Sequence, residues 1–267
     1  MIAPAPAKIN LALVVGPPRA DGKHELVTVY QRVDLCDRIA VEPAPITTIE
    51  GFAGDTIVRD ALAALGGPTG WRVRIEKNIP VAAGLAGGSS DAATALRLAN
   101  AQLPEPLPAG RLHEIAAGLG ADVPFFLADG PRLGAGDGTE LEAVELPQSF
   151  VVLLLLPHGA RKPSTAEVYS AFDRRGGEAG FAERAVALRA ALAAVRRPRD
   201  LARLPPNDLA SSPHTADVLA EGAFRADVSG AGPTLYGLFE SRADATRAGR
   251  RLGRLGRVWI AFPAWYG

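Results

Sequence analysis

The sequence predicts an α+β fold in two lobes, and three observations carry that expectation. Amphipathic strand patterns in the first ninety or so residues lead into a glycine-rich stretch and an alanine-rich helix. The segment Phe150 to Leu156 is short and wholly apolar, the pattern of a strand covered on both faces. Beyond Pro157 the pattern changes to helix, helix, strand, strand, helix, strand. The lobes are therefore expected to span 1–157 and 158–267, with no internal repeat.

Taken in order, Ile9, Leu11, Leu13 and Val15 alternate with Lys8, Asn10, Ala12 and Val14, which puts Lys8 and Asn10 on one face of a strand. Gly16 to Gly22 reads as a turn, and His24 to Leu35 followed by Arg38 to Glu42 as two further strands. Trp71, Val73 and Ile75 form an amphipathic strand that runs into Asn78, Pro80 and the glycines. Ser89, Ser90 and Asp91 are good caps for a helix to about Ala101, and a break at Pro104 to Pro108 precedes a short helix around Leu112 to Gly118. In the second lobe Ser164 and Glu167 have the spacing of a capping box. Helices are expected over Ala182–Arg196 and Arg242–Leu255, and strands within Val228–Phe239 and Arg257–Phe262.

Composition narrows the function. The 267 residues carry 29 basic and 29 acidic side chains, so no basic excess meets a nucleic acid backbone; nucleic acid is disfavoured as main partner, with a local basic patch left open. The single cysteine, Cys36, excludes an intrachain disulfide and any multi-thiolate metal cluster. No apolar run reaches membrane-spanning or signal-peptide length, which points to a cytoplasmic protein without a membrane partner. Only Lys8, Lys23, Lys77 and Lys162 are lysines, against 25 arginines, so each lysine is mildly informative.

The most informative stretch is Pro80-Val81-Ala82-Ala83-Gly84-Leu85-Ala86-Gly87-Gly88-Ser89-Ser90-Asp91. Glycines and two serines placed at a helix start after a strand make an anion cradle, because backbone N–H groups and the helix dipole converge on one point. Neither a Walker A ending nor GxGxxG spacing is present, and a tightly packed capping loop is the alternative reading.

Several motifs in the same order resemble the GHMP kinase superfamily. They are Pro6-Ala7-Lys8-Ile9-Asn10-Leu11, Arg19-Ala20-Asp21-Gly22 with His24-Glu25-Leu26, the glycine loop, Gly120-Ala121-Asp122-Val123-Pro124-Phe125-Phe126, and Ser229-Gly230-Ala231-Gly232-Pro233-Thr234. The first, second and fourth are specific to one branch of it, whereas the glycine loop and the last motif are generic. The resemblance implies a ribosomal-protein-like first lobe, a ferredoxin-like second lobe, and ATP-dependent phosphorylation of the 2-hydroxyl of 4-diphosphocytidyl-2-C-methyl-D-erythritol on the non-mevalonate isoprenoid route. It implies Asp122 as the base with Lys8 beside it, and ATP along Pro80, Ala82, Ala83, Gly84, Leu85, Ala86, Gly87, Gly88, Ser89 and Ser90. Mg²⁺ would accompany ATP with Ser90 assisting. Asn10, Lys23, His24, Thr165, Tyr169, Gly230 and Gly232 would meet a small substrate carrying a cytidine diphosphate moiety, His24 bonding the cytosine and Tyr169 stacking on it.

One position departs from the pattern. Lys23 stands where the family reads tyrosine, so one ring of the expected base sandwich is missing and weaker acceptor affinity follows; a lysine can instead lie over the base or reach the diphosphate. Two rival readings are a GHMP kinase for another small alcohol and a silent paralogue that binds nucleotide without turnover. The chain is expected to act as a monomer or homodimer. Asn207 and Asp208 receive no role, and His113, His158 and His214 are expected at the surface.

Overall fold

In the computed structural model, which describes residues 1–52, 54–67, 70–160 and 164–264, the chain opens with a long antiparallel pair, β1 (Ile2–Pro18) and β2 (His24–Ala44). The sequence reads two strands where β2 is one. Pro6 pairs with Cys36 and Ala7 with Val33, so Asp34 and Leu35 bulge out and the strand resumes beyond them. β4 (Gly70–Glu76) pairs with β2, and its buried and exposed residues alternate as its pattern requires. Three short strands escape the sequence reading: β3 (Thr48–Glu50), β5 (Arg132–Ala135) and β6 (Glu140–Ala143). Together they complete a six-stranded sheet, β3-β4-β2-β5-β6, with β1 on β2.

Helices α1 (Ile57–Leu65), α2 (Gly87–Asn100) and α3 (Ala109–Leu119) pack into one apolar cluster with this sheet, where Ile39, Val73 and Ile75 meet Val58, Leu62, Leu96 and Ala116. α2 starts earlier than the serines suggest. Its cap is Ala86, in the left-handed conformation at φ 55°, so Ser89, Ser90 and Asp91 lie inside the helix. Ser90 and Asp91 are fully buried.

The second sheet contains β7 (Val151–Pro157), β8 (Arg225–Val228), β9 (Leu235–Phe239) and β10 (Gly256–Ala261), in the antiparallel order β10-β7-β9-β8. β7 was expected to close the first lobe, but its partners lie in the second. Its apolar character on both faces has a direct cause: Val152 and Leu154 join a core with Ile9, Leu11 and Leu85, while Val151, Leu153 and Leu155 pack with Ala245, Ala248 and Leu252. The remaining helices are α4 (Thr165–Arg174), α5 (Phe181–Ala193), α6 (Thr215–Ala220) and α7 (Arg242–Leu252). The capping box at the start of α4 is present, with Ser164 Oγ accepting from the Glu167 N–H and Glu167 Oε2 accepting from the Ser164 N–H. Among the described residues no helix is long and apolar enough to cross a membrane.

Candidate active site

A cavity of about 490 Å³ lies where the two sheets meet, and both lobes supply its walls. β1 contributes Lys8 and Asn10, β2 contributes Tyr30, and the loop from Pro80 to Ser89 forms one side. Asp122, Asp137, Thr165, Tyr169 and Gly230 close the others.

The polar end is built on β1. Lys8 is 3% exposed, and its Nζ donates to Asn10 Oδ1 at 2.7 Å and lies 3.3 Å from Asp122 Oδ1. Asn10 is oriented in turn, its Nδ2 donating to Thr28 Oγ1 at 2.8 Å while that hydroxyl donates to the Ala12 carbonyl at 2.7 Å. The Lys8 side chain therefore has one rigid acceptor and one carboxylate, and the carboxylate is the group that is partly open, with its side chain 32% exposed. Tyr30 stacks on Phe125, ring centroids 4.8 Å apart, and Lys8 Nζ sits 5.3 Å from its centroid. Burial, and then Asp122, push the Tyr30 phenol well above its ordinary pKa, so it stays a neutral hydroxyl.

The glycine loop is shaped by the second lobe. The Lys8 N–H donates to the Leu85 carbonyl at 3.1 Å, the Thr234 N–H to the Ala83 carbonyl at 3.2 Å, and Ser229 Oγ to the Gly84 carbonyl at 3.0 Å. Gly84 has φ +82°, and a Cβ there would stand 2.6 Å from the carbonyl oxygens of both Ser229 and Gly232. Gly230, at φ +57°, presses on Asn10 and Lys8: its Cβ would meet Asn10 Oδ1 at 3.2 Å and Lys8 Nζ at 3.6 Å. Ala82 and Ala86 adopt positive φ without being glycine, which marks the loop as held by its surroundings. The first N–H groups of α2 have no acceptor in their own helix and stand beside this wall. Gly87, Gly88 and Ser89 at the start of α2 line the cavity; Ser90, expected to assist a metal, is fully buried and not on its lining.

Beneath the loop lies a charge cluster that sequence spacing does not reveal. Lys77 Nζ donates to Asp37 Oδ2 at 2.5 Å and to Asp91 Oδ2 at 2.7 Å, and Asp37 Oδ1 accepts the N–H groups of Asn78 and Ile79 at 2.5 and 2.8 Å. Burial opposes the Lys77 charge, but Asp91 and Asp37 outweigh it and raise its pKa. Burial, and then the nearby Asp37, push Asp91 up to about 8. A carboxyl whose folded pKa lies above its unfolded value binds its proton more tightly when folded. Its contribution is complete below the unfolded pKa near 3.8 and is lost as pH rises through about 8. The Asp91→Asn variant is accordingly expected to melt close to the wild type near pH 4, progressively above it as pH rises to 8, and at a steady margin above pH 8, read as Tm against pH. A constant offset at all pH values would contradict this assignment.

A second cavity of about 430 Å³ adjoins the first, lined by Lys23, His24, Thr165, Tyr169 and Asp173 among others. His24 Nε2 is 2.7 Å from Asp173 Oδ1, and its ring lies 4.6 Å from the Tyr169 ring at a tilt of 33°. Lys23 Nζ donates to Asp137 Oδ2 at 2.5 Å. Gly232 lines neither cavity; it faces a third space, of about 540 Å³, behind the 230–233 turn. Asn207 and Asp208 were given no role above: Asn207 Nδ2 braces the 228–230 turn, donating to the carbonyls of Val228 and Gly230 at 2.9 and 2.6 Å, and Asp208 joins the lobes, its Oδ2 accepting the Val15 N–H at 2.9 Å. Asp37, Asp91, Asp137, Asp173 and Tyr30 are the site-forming residues that sequence reasoning missed, and each acts through a partner distant in sequence.

Comparison with known proteins agrees with this geometry. Residues 55–130 match the family model described as the GHMP kinases N terminal domain, and residues 191–258 the GHMP kinases C terminal model. A 4-diphosphocytidyl-2-C-methyl-D-erythritol kinase of Thermobifida fusca is 39% identical over 91% of this chain and 87% of its own length. One of the same name from Geobacter sulfurreducens is 37% identical over 96% of this chain and 95% of its own. Among solved structures, a 4-(cytidine 5'-diphospho)-2C-methyl-D-erythritol kinase superposes with TM-score 0.78 at 34% identity, covering 99% of this chain and 100% of that one. A mevalonate kinase of Methanococcus jannaschii superposes at 0.76 with 14% identity over 99% of this chain and 98% of its own, a likeness of fold alone.

Proposed function

The chain belongs to the GHMP kinases, in the family of 4-diphosphocytidyl-2-C-methyl-D-erythritol kinases, and from that membership we propose that it transfers the γ-phosphoryl group of ATP to the 2-hydroxyl of 4-diphosphocytidyl-2-C-methyl-D-erythritol, a step of non-mevalonate isoprenoid synthesis. The observation that carries the reading is the Lys8–Asp122 pair, 3.3 Å apart, at the end of a cavity whose other wall is an open helix start.

Phosphoryl transfer needs positioning, charge neutralisation and an acceptor for the hydroxyl proton. Asp122 takes that proton, being the partly open carboxylate at the polar end. Lys8 is held by Asn10 so that its charge faces both Asp122 and the alkoxide that develops as the proton leaves. Gly87, Gly88 and Ser89 present backbone N–H groups to the phosphates, and the N-terminal end of the α2 dipole favours their charge. His24 and Tyr169 mark the adjoining cavity as the base site, with Thr165 between it and the polar end. Bound Mg²⁺ supplies further neutralisation of the transferring group. Ser89, on the cavity lining, is the residue that would help hold it, with nucleotide oxygens and water completing the shell. Gly232 acts on the site indirectly, through its carbonyl against Gly84. The pairing of β7 supports dividing the lobes ahead of Val151 rather than at Pro157. The enzyme works in the cytoplasm as a monomer or homodimer.

ADP release with ATP, Mg²⁺ and a panel of acceptors tests the proposal. The cytidyl acceptor is expected to exceed mevalonate, homoserine and galactose in kcat/KM by about a hundredfold or more, since a site built to hydrogen-bond a base rejects ligands that lack it. Turnover with another alcohol alone would keep the kinase and reject the acceptor. ATP binding without any turnover would favour the silent paralogue.

A further inference from the structure

The two cavities meet at a waist formed by Leu26, Ala121, Asp137, Thr165 and Tyr169, which line both. With the base beside His24 and Tyr169 and the reacting hydroxyl beside Asp122, the diphosphate that joins them crosses this waist. Asp137 is the charged residue of the five. Its side chain is only 11% exposed, Oδ1 accepts from Thr139 Oγ1 at 2.6 Å and from the Thr139 N–H at 3.2 Å, and Oδ2 accepts from Lys23 Nζ at 2.5 Å. A fixed carboxylate at the crossing would repel two phosphate charges unless a cation stands with it.

Lys23 is that cation, its Nζ standing 2.5 Å from Asp137 Oδ2. Its side chain is 50% exposed, on the turn between β1 and β2, and an ammonium that gives one N–H to Asp137 retains two for another acceptor. We infer that Lys23, held at the waist by Asp137, is a specificity-determining residue for the diphosphate of the acceptor. The inference rests on the acceptor proposed above. Lys23 and Asp137 then form one unit: the carboxylate sets where the ammonium stands, and the ammonium cancels the repulsion of the carboxylate. The ammonium adds binding energy at the phosphates, so the site should discriminate cytidine 5'-diphosphate from cytidine.

Calorimetric titration of cytidine and of cytidine 5'-diphosphate into the wild type, Lys23→Met, Asp137→Asn and the double variant tests this. Lys23→Met is expected to weaken the diphosphate about tenfold, through a lost charge contact and an unpaired Asp137, while cytidine changes by less than about twofold. Asp137→Asn alone should leave diphosphate affinity within about twofold or tighten it, and the double variant should recover most of the loss of Lys23→Met. An unchanged diphosphate affinity in Lys23→Met, or equal losses for both ligands, would overturn the inference. If the wild type binds cytidine but gains nothing from the diphosphate, the clamp fails while the base site stands. If it binds neither ligand, the proposed acceptor site fails and takes the clamp with it.

Discussion

Replacing Asp122 by asparagine is expected to lower kcat by about a thousandfold, within the range of roughly 10² to 10⁴ that a positioned general base contributes. The amide keeps the size of the side chain and its contact with Lys8, which in the wild type stands 3.3 Å from Asp122 Oδ1, but it cannot accept the hydroxyl proton. KM for both substrates should move by less than about threefold, because neither the glycine loop nor the adjoining cavity depends on the carboxylate charge. A loss in kcat below about tenfold would show that a different group takes the proton. A large rise in KM with kcat preserved would make Asp122 a binding residue.

Gly84→Ala is expected to damage both the fold and the nucleotide site. Its φ of +82° is strained for any L side chain, and the new methyl carbon would stand 2.6 Å from two carbonyl oxygens of the 229–232 turn. Neither oxygen belongs to a flexible side chain, so the backbone of one lobe must withdraw from the other. That movement pulls on the Ser229 and Thr234 hydrogen bonds to Gly84 and Ala83. A stability loss of about 3 kcal/mol or more is expected from denaturant melts, together with a fall in ATP affinity. A loss below about 0.5 kcal/mol would show that the loop and the turn are not mutually fixed.

How much of this was legible in the sequence divides by range. The glycine loop, the Lys8–Asn10 face and the Ser164 capping box are local, and spacing alone places them. That β7 pairs with β9 and β10 is not legible locally, because an apolar run shows that both faces are covered but not by which sheet. The helix at Ile57–Leu65 does leave a local signal, since Val58, Ala61, Leu62 and Leu65 fall on one buried face. The ionic partners left none. Lys23 meets Asp137 across 114 positions and His24 meets Asp173 across 149, and no local pattern records such pairings. The same holds for Asp91, which reads as a helix cap and is instead a buried acid against Lys77. The placement of Ser90 escapes local pattern for a related reason: the helix begins at Gly87, so Ser90 is fully buried and Ser89 lines the cavity.

The central claim is that the Lys8–Asp122 end of the cavity delivers a phosphoryl group to the tertiary hydroxyl of the cytidyl-linked tetritol. Phosphorus NMR of the wild-type reaction, with ¹³C-labelled acceptor, tests it most directly. The expected product shows one new phosphomonoester coupled to the methyl-bearing quaternary carbon, an intact diphosphate linkage, and one ADP for each acceptor consumed. Phosphorus coupled to any other carbon, or ADP accompanied only by inorganic phosphate, would contradict it.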